Sequence, residues 1–285
     1  MITRRRFLAG AAGLYALGIE PGFRLIVKHH RIAPPGWPRG AGMRIVAVAD
    51  PHMGEPHMPL ARLERVVDWA VGLGGDLIVL LGDYEAGHRF VSGPVPLTET
   101  ALVLARLSAP LGVHAILGNH DWWHDAEAQA RGAGPTAAHR ALAEAGIRVP
   151  ENRAIRIDGG PATFWLMGLG DQLALRRDRL IGVDDLPGTL AQLQDDAPAI
   201  LLAHEPDIFP GVPDRVALTL SGHTHGGQMR LFGYSPLVPS QFGNRYTYGH
   251  VRERRRDIVI FGGLGCSILP VRLGVPPEIT VIDLA

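Results

Sequence analysis

Five short polar segments carry the side chains in this sequence that could act together: Asp50-Pro51-His52, Gly82-Asp83, Gly118-Asn119-His120-Asp121, Ala203-His204-Glu205 and Ser221-Gly222-His223-Thr224-His225. A single His after an apolar run is more often a satisfied boundary residue than a ligand. Five such segments in succession, each closing an apolar run, form a constellation. Their donors are carboxylate or carboxamide oxygen and imidazole nitrogen with no thiolate, a set that suits divalent Mn, Fe, Zn or Co. Asp50, His52, Asp83, Asn119, His204, His223 and His225 are too many ligands for one tetrahedral ion, but if one carboxylate bridges they give each of two ions four ligands. Two cations about 3.5–4 Å apart clamp a phosphate and generate a hydroxide at neutral pH. The charge left after two aspartates and a hydroxide is positive, which favours an anionic phosphoester.

The apolar runs between these segments must position them. Arg44–Ala49 reads as a buried strand ending at Asp50. Leu60, Leu63, Val66, Val67, Ala70 and Val71 keep helical spacing, and Gly72, Gly74 and Gly75 stop that helix. Leu77–Leu81 is a second strand, Thr98–Leu107 a second helix with Thr98 as its N-cap, and Val113–Leu117 a third strand. This βαβαβ order implies a largely parallel sheet with helices on its faces. Ligands bind at the carboxyl ends of such strands, where the polar segments lie. The second half adds strand candidates at Ala154–Ile157, Phe164–Met167, Ile200–Ala203, Ala217–Leu220, Gln228–Leu231, Ile258–Phe261 and Ile279–Leu284, and a helix at Leu186–Leu193.

Composition bounds the alternatives. The chain has 285 residues, 46% hydrophobic and 20% charged, which excludes a disordered protein. Lys plus Arg and Asp plus Glu both number 28, so the net charge is zero and a nucleic-acid partner is not expected. The only cysteine, Cys266, excludes an internal disulfide and a thiolate metal cage. No obligate protein partner is implied. Thirteen histidines are the unusual number.

The chain opens Thr3-Arg4-Arg5-Arg6-Phe7-Leu8, followed by a small, apolar run through Leu17 and the break Pro21-Gly22. That order fits an export signal of the twin-arginine type, too short to span a bilayer. Residues 1–22 are expected to be such a signal or a retained membrane tether, residues 23–39 a linker or outlying strand, and residues 40–285 one catalytic domain. The protein is thus expected in the periplasm or cell envelope.

The ordered motifs, covering residues 50 to 225, resemble those of the calcineurin-like metallophosphoesterase superfamily. The extended Gly222-His223-Thr224-His225-Gly226-Gly227-Gln228, the tail segments Gly263-Leu264-Gly265, Pro270-Val271-Arg272 and Pro276-Pro277-Glu278-Ile279, and the N-terminus look like its exported or membrane-associated bacterial phosphodiesterase branch, with relatives acting on lipid-linked nucleotide sugars. The resemblance implies an α/β fold, a four-layer α/β/β/α sandwich. It implies that Asp50, His52 and His225 hold one metal and Asn119, His204 and His223 a second, with Asp83 bridging. His120 would protonate the leaving oxygen, and Asp121 would orient the imidazole of His120. Many members carry another acidic residue just after the bridging aspartate; here Glu85 is offset and is not counted as a ligand.

The resulting expectation is a phosphohydrolase with two divalent ions, Mn first and Zn, Fe or Co as alternatives. Its substrate would be a phosphodiester or pyrophosphate, including a lipid-linked one. A broad phosphomonoesterase and a non-catalytic, metal-stabilised binding protein are the competing readings. Trp122 and Arg272 are candidate substrate contacts. His57, His88 and His124 read as surface histidines, Cys266 as a packed residue, and the Arg252–Arg256 run as a solvated turn.

Overall fold

The computed structural model describes residues 10, 13 and 15–285. The Arg4-Arg5 motif and most of the apolar run after it lie outside the described residues. Among the described residues, no helix is long and apolar enough to cross a membrane.

Eleven strands form the two main sheets. They are β1 (Ile26–Ile32), β2 (Met43–Val48), β3 (Leu77–Leu81), β4 (Val113–Ile116), β5 (Arg153–Ile157), β6 (Phe164–Gly168), β7 (Ala199–Leu202), β8 (Val216–Ser221), β9 (Gly249–Glu253), β10 (Arg256–Ile260) and β11 (Glu278–Leu284). The α-helices are α1 (Leu60–Gly72), α2 (Leu97–Leu104), α3 (Asn119–Trp123), α4 (Ala126–Arg131), α5 (Ala137–Glu144) and α6 (Leu186–Leu190). One sheet has the order β1-β11-β2-β3-β4 and the other β9-β10-β8-β7-β6-β5. Both are mixed. β2, β3 and β4 run parallel, but β11 is antiparallel to β2. The centre of the second sheet is parallel, with antiparallel β5 and β9 at its edges.

The strands are apolar on both faces because both faces are covered, and successive side chains divide between separate cores. Along β2, Ile45 and Ala47 point between the sheets, while Val46 and Val48 point toward the helices. β3 divides the same way, with Leu77, Val79 and Leu81 inward and Ile78 and Leu80 outward. In the second sheet Ile200, Leu202, Leu218 and Leu220 face the central core; Leu201, Val216 and Ile258 face a third cluster closed by Phe209 and Tyr246. Three apolar seams thus hold four layers, the fold class expected of the motifs. The outer layer on the second sheet consists of α6 and short 3-10 turns.

The 23–39 segment, expected as a linker or outlying strand, contains the edge strand of the first sheet: β1 pairs in parallel with β11 from Ile26↔Glu278 to Ile32↔Leu284, and Trp37 packs on Phe164 with its indole N–H on the Ala41 carbonyl. The departures from expectation have local causes. α2 begins at Leu97 with Pro96 rather than Thr98 at the cap position, and it closes in i→i−3 bonds from Arg106 and Leu107. Gln228–Leu231 is not a strand. Gln228 has a φ of 51°, and Met229 makes only isolated bridges, to Leu273 and Gly274.

Candidate metal centre

The seven candidate ligands converge at the carboxyl ends of the strands. Asp50 and His52 follow β2, Asp83 follows β3, Asn119 opens α3 after β4, His204 follows β7, and His223 and His225 follow β8. Asp50, His52, Asp83, Asn119, His204 and His225 are buried. Five of the seven, Asp50, His52, Asp83, His223 and His225, have positive φ, between 43° and 68°. Non-glycine residues occupy that region at a cost that surrounding structure must hold in place, a feature of functional sites. Gly118 allows the close approach: a Cβ there would meet Asp83 Oδ1 and lie 2.6 Å from His204 Nε2.

The donor atoms fall into groups that share Asp83. His52, Asp83 and His120 offer atoms within 4.8 Å of one another, and so do Asp83, His204 and His223. Asp83 Oδ2 lies 3.4 Å from His52 Nε2 and 3.3 Å from His204 Nε2. His52 donates from Nδ1 to the Glu85 carbonyl at 2.8 Å, and His204 from Nδ1 to the Leu81 carbonyl at 2.6 Å. Those bonds leave each Nε2 lone pair free toward the site, the usual outer support for a ligating imidazole. His52 Nε2 is also 3.0 Å from His225 Nε2. His223 Nδ1 is 2.9 Å from Asn119 Oδ1, and its backbone N–H donates to Asp50 Oδ1 at 3.0 Å.

The residues fit divalent cations. Asp50 Oδ2 and His204 Nε2 are buried and have no hydrogen-bond partner, an expensive arrangement unless an ion answers them. Burial first pushes the Asp50 carboxyl up to about 7; neighbouring Asp83 adds to this and His204 opposes it. Burial favours the neutral form of His204, yet Asp83 and other carboxylates hold its pKa well above the ordinary value. The other imidazoles go the opposite way: burial lowers His52 to about 3 and holds His225 well below its ordinary value. Glu85 contributes its carbonyl, and its side chain is in neither group.

Three side chains sit differently from the sequence-based expectation. Asp121 does not touch the His120 imidazole. Its carboxylate accepts the backbone N–H groups of Asp83, Tyr84 and Gly118 at 2.8–2.9 Å, clamping two ligand loops together. Trp122 is buried under α3, and the neighbouring Trp123 faces the open site instead. Arg272 is fully buried behind His225, so it cannot meet a substrate phosphate; it donates to the carbonyls of Gly262, Gly265 and Val275 and to His225 Nδ1 at 3.0 Å. Because arginine can only donate, His225 Nδ1 is the acceptor there. Ligation through His225 Nε2 requires the proton on Nδ1, with Arg272 resting on the Gly265 carbonyl that it already contacts.

The remaining candidates are quieter. His57 and His88 are half-buried, His57 stacking on Phe23 at 5.1 Å, while His124 is exposed. Cys266 is buried. In the basic run, Arg252 pairs with buried Asp257 and Arg256 donates to carbonyls near Phe209, while Arg254 and Arg255 are exposed at the hairpin turn between them.

Two buried acids have no role in the sequence-based expectation: Asp171, and Glu205, which enters it only as the neighbour of His204. Asp171 and Glu205 form a third group with His204, and Glu205 Oε1 lies 4.0 Å from His223 Nδ1. Burial and then Glu205 push the Asp171 carboxyl well above the usual range. The signal was present: Asp171 follows β6 as Asp50 follows β2. Also missed was Arg176, whose guanidinium lies 4.0 Å over the Trp123 ring. Both residues line a cavity of about 330 Å³ that opens on Asp83, Asn119, His120 and His223.

This arrangement defines a metal-dependent phosphoesterase, and the chain belongs to the calcineurin-like phosphoesterase family, whose model matches residues 43–227. The metallophosphoesterase YkuE of Bacillus subtilis is 32% identical, over 99% of this chain and 98% of its own. The phosphodiesterase YaeI of Escherichia coli is 31% identical over the whole of both chains. A metallophosphoesterase of Aquifex aeolicus is 29% identical over 98% of each.

Proposed function

We propose that this chain is a phosphodiesterase or pyrophosphatase that works with two divalent cations, Mn first among Mn, Zn, Fe and Co. The observation that carries the reading is Asp83 Oδ2, placed almost equally between His52 and His204. One carboxylate oxygen facing two imidazole nitrogens suits a bridging ligand, with Asp50 and His225 on one side and Asn119 and His223 on the other. Kinship with a relative called a phosphodiesterase supports diester cleavage. When bound, two such cations polarise the phosphoryl oxygens and supply a nucleophile at neutral pH.

The chain's own residues supply the rest. His120 is fixed through its backbone N–H on Asp83 Oδ1 at 2.8 Å, and its Nδ1 is buried without a partner. Burial holds its pKa down to about 4 against the pull of Asp83. A neutral His120 gains its proton when an anionic phosphate stands against the ring, and it then delivers that proton to the leaving oxygen. Arg176 and Trp123 line the cavity beside His120, the Trp123 ring 5.2 Å from the imidazole. Leu237, Ile268 and Leu269 line the same cavity, which favours a substrate with an apolar portion, such as a lipid-linked phosphodiester or nucleotide sugar.

The decisive experiment is hydrolysis of bis-p-nitrophenyl phosphate and p-nitrophenyl phosphate by chelated protein reloaded with Mn, Zn, Fe, Co or Mg separately. The reading expects metal-dependent turnover with kcat/KM higher for the diester. Higher kcat/KM for the monoester would favour a phosphomonoesterase, and no turnover with any metal would favour a binding protein.

We further propose that residues 1–22 direct twin-arginine export to the periplasm or cell envelope, with retention as a tether an open outcome. Arg4→Lys with Arg5→Lys should leave the protein in the cytoplasm. Normal export of that variant would remove the twin-arginine reading.

A further inference from the structure

Three loops, 86–96, 228–242 and 264–275, flank the open end of the metal pocket and brace one another. Gly87 bridges Ser267, and the Ile268 N–H donates to the Gly87 carbonyl. The Gln228 side chain donates to the Leu269 carbonyl at 2.7 Å and accepts the Ser267 N–H at 2.8 Å, and Arg230 N–H reaches Leu273. On this braced rim Phe90, Leu231, Phe232, Tyr234, Leu237 and Ile268 are exposed, Phe232 completely. Single exposed apolar residues are ordinary, but a cluster beside a binding site marks an interaction surface. Not one of the chain's 28 Asp and Glu residues falls within these three loops. The exposed charge they carry is Arg89; Arg230 is half-buried, with its guanidinium over the Tyr248 ring at 5.9 Å.

The N-terminal segment reaches the fold at the same rim. The Arg272 N–H donates to the Gly18 carbonyl at 2.8 Å, the Arg62 guanidinium to the Gly22 carbonyl at 2.9 Å, and Phe23 stacks on His57. In the sequence, the apolar run through Leu17 and the arginines before it immediately precede this docked stretch.

We infer that the rim docks on the interfacial zone of an anionic phospholipid bilayer, so that the metal pocket opens onto the membrane surface. Large apolar side chains beside arginine, with no carboxylate among them, match the acyl boundary and the negative headgroups together. A symmetric pairing of two copies through these loops would bring together two surfaces that carry arginine and no carboxylate of their own, exposed Glu55 standing beside Gly93 on the adjoining short strand. The docking deepens the phosphodiesterase reading and rests on it only for what is cleaved there.

The test uses the full chain and vesicles of phosphatidylcholine with or without phosphatidylglycerol. Cys266 is buried, so an environment-sensitive fluorophore can be attached at Phe232→Cys, or at Asp196→Cys ahead of β7 at the opposite end of the strands. Anionic vesicles should blue-shift the label at 232 and leave the label at 196 unchanged. Leu231→Ser, Phe232→Ser and Tyr234→Ser together should lower vesicle partitioning about tenfold or more, with turnover of soluble bis-p-nitrophenyl phosphate unchanged. Vesicle binding with the label at 232 still in water, a dimer that the triple variant dissolves, or no vesicle binding would each overturn the inference. Intact vesicle binding without diester hydrolysis would instead remove the phosphodiesterase reading alone.

Discussion

His52 and His225 face each other across 3.0 Å, Nε2 to Nε2, with their rings nearly parallel at 15°. Two neutral imidazoles can share one proton there, and Arg272 at His225 Nδ1 places it on His225 Nε2. The same pair of nitrogens would hold one ion between them, each imidazole offering its Nε2 lone pair. His225→Ala should therefore lower bound Mn from two ions per chain toward one, read by elemental analysis after gel filtration. Asp83→Ala should lower both sites, because its Oδ2 faces His52 and His204 alike. Two ions retained in both variants would remove these residues as ligands.

His120 belongs geometrically to the same group as His52 and Asp83, so metal content must separate an acid from a ligand. On the proposed role of His120 as the acid that protonates the leaving oxygen, His120→Ala should lose roughly 100-fold in kcat or more, with two metal ions still bound. The loss should shrink for a diester whose leaving group needs no proton, such as p-nitrophenol, relative to one with an alkoxide leaving group. Equal losses on both would place His120 outside proton transfer.

The convergence of the candidate ligands was legible because each closes an apolar run, and apolar runs in an α/β chain become buried strands whose ends share one rim. The alternation that separates Val46 from Ile45, and Ile78 from Leu77, is likewise a local property of β2 and β3. What escaped depends on contacts remote in sequence. β1 belongs to the sheet only because β11 returns to pair with it. Trp122 is buried and Trp123 lines the cavity through the orientation of α3, which five residues do not specify. An arginine in a Pro-rich tail reads as a surface group, and nothing local says that Arg272 is enclosed by carbonyls.

Asp121 illustrates the same limit and carries its own prediction. Its two oxygens satisfy three buried backbone N–H groups on the β3 and β4 loops. A buried donor without a partner costs about 1–3 kcal/mol, so Asp121→Ala should lose about 3 kcal/mol or more in urea unfolding. Activity and metal content should fall with stability, unlike in His120→Ala. A fully stable but slow Asp121→Ala protein would return Asp121 to a role at the His120 imidazole.

Arg272 separates a structural role from a substrate role by the same measurement. Arg272→Ala would leave the carbonyls of Gly262, Gly265 and Val275 without their guanidinium donors, so about 2 kcal/mol or more of stability should be lost. Arg272→Lys should restore little, since one ammonium cannot span the planar set. KM should change little in whatever enzyme remains folded. A stable Arg272→Ala protein with a large rise in KM would return the residue to the substrate.

His30 on β1 gives a pH dependence separate from the metal site. Burial, and then Lys28, His250 and His29, lower its pKa from 6.5 to about 4. In the unfolded chain His30 protonates near its ordinary value, so between about pH 6.5 and 4 the unfolded state binds more protons than the fold. Stability therefore rises with pH across that window. The contribution is complete above about 6.5, declines as pH falls toward 4, and declines no further below. The ligand carboxylates and imidazoles titrate in the same range, so the comparison must be between wild type and His30→Gln, in which their effects cancel. Tm measured in chelator from pH 7.5 to 4 should fall less steeply in His30→Gln than in wild type. Parallel curves would mean that His30 is solvated and contributes nothing to the acid lability of the β1 edge.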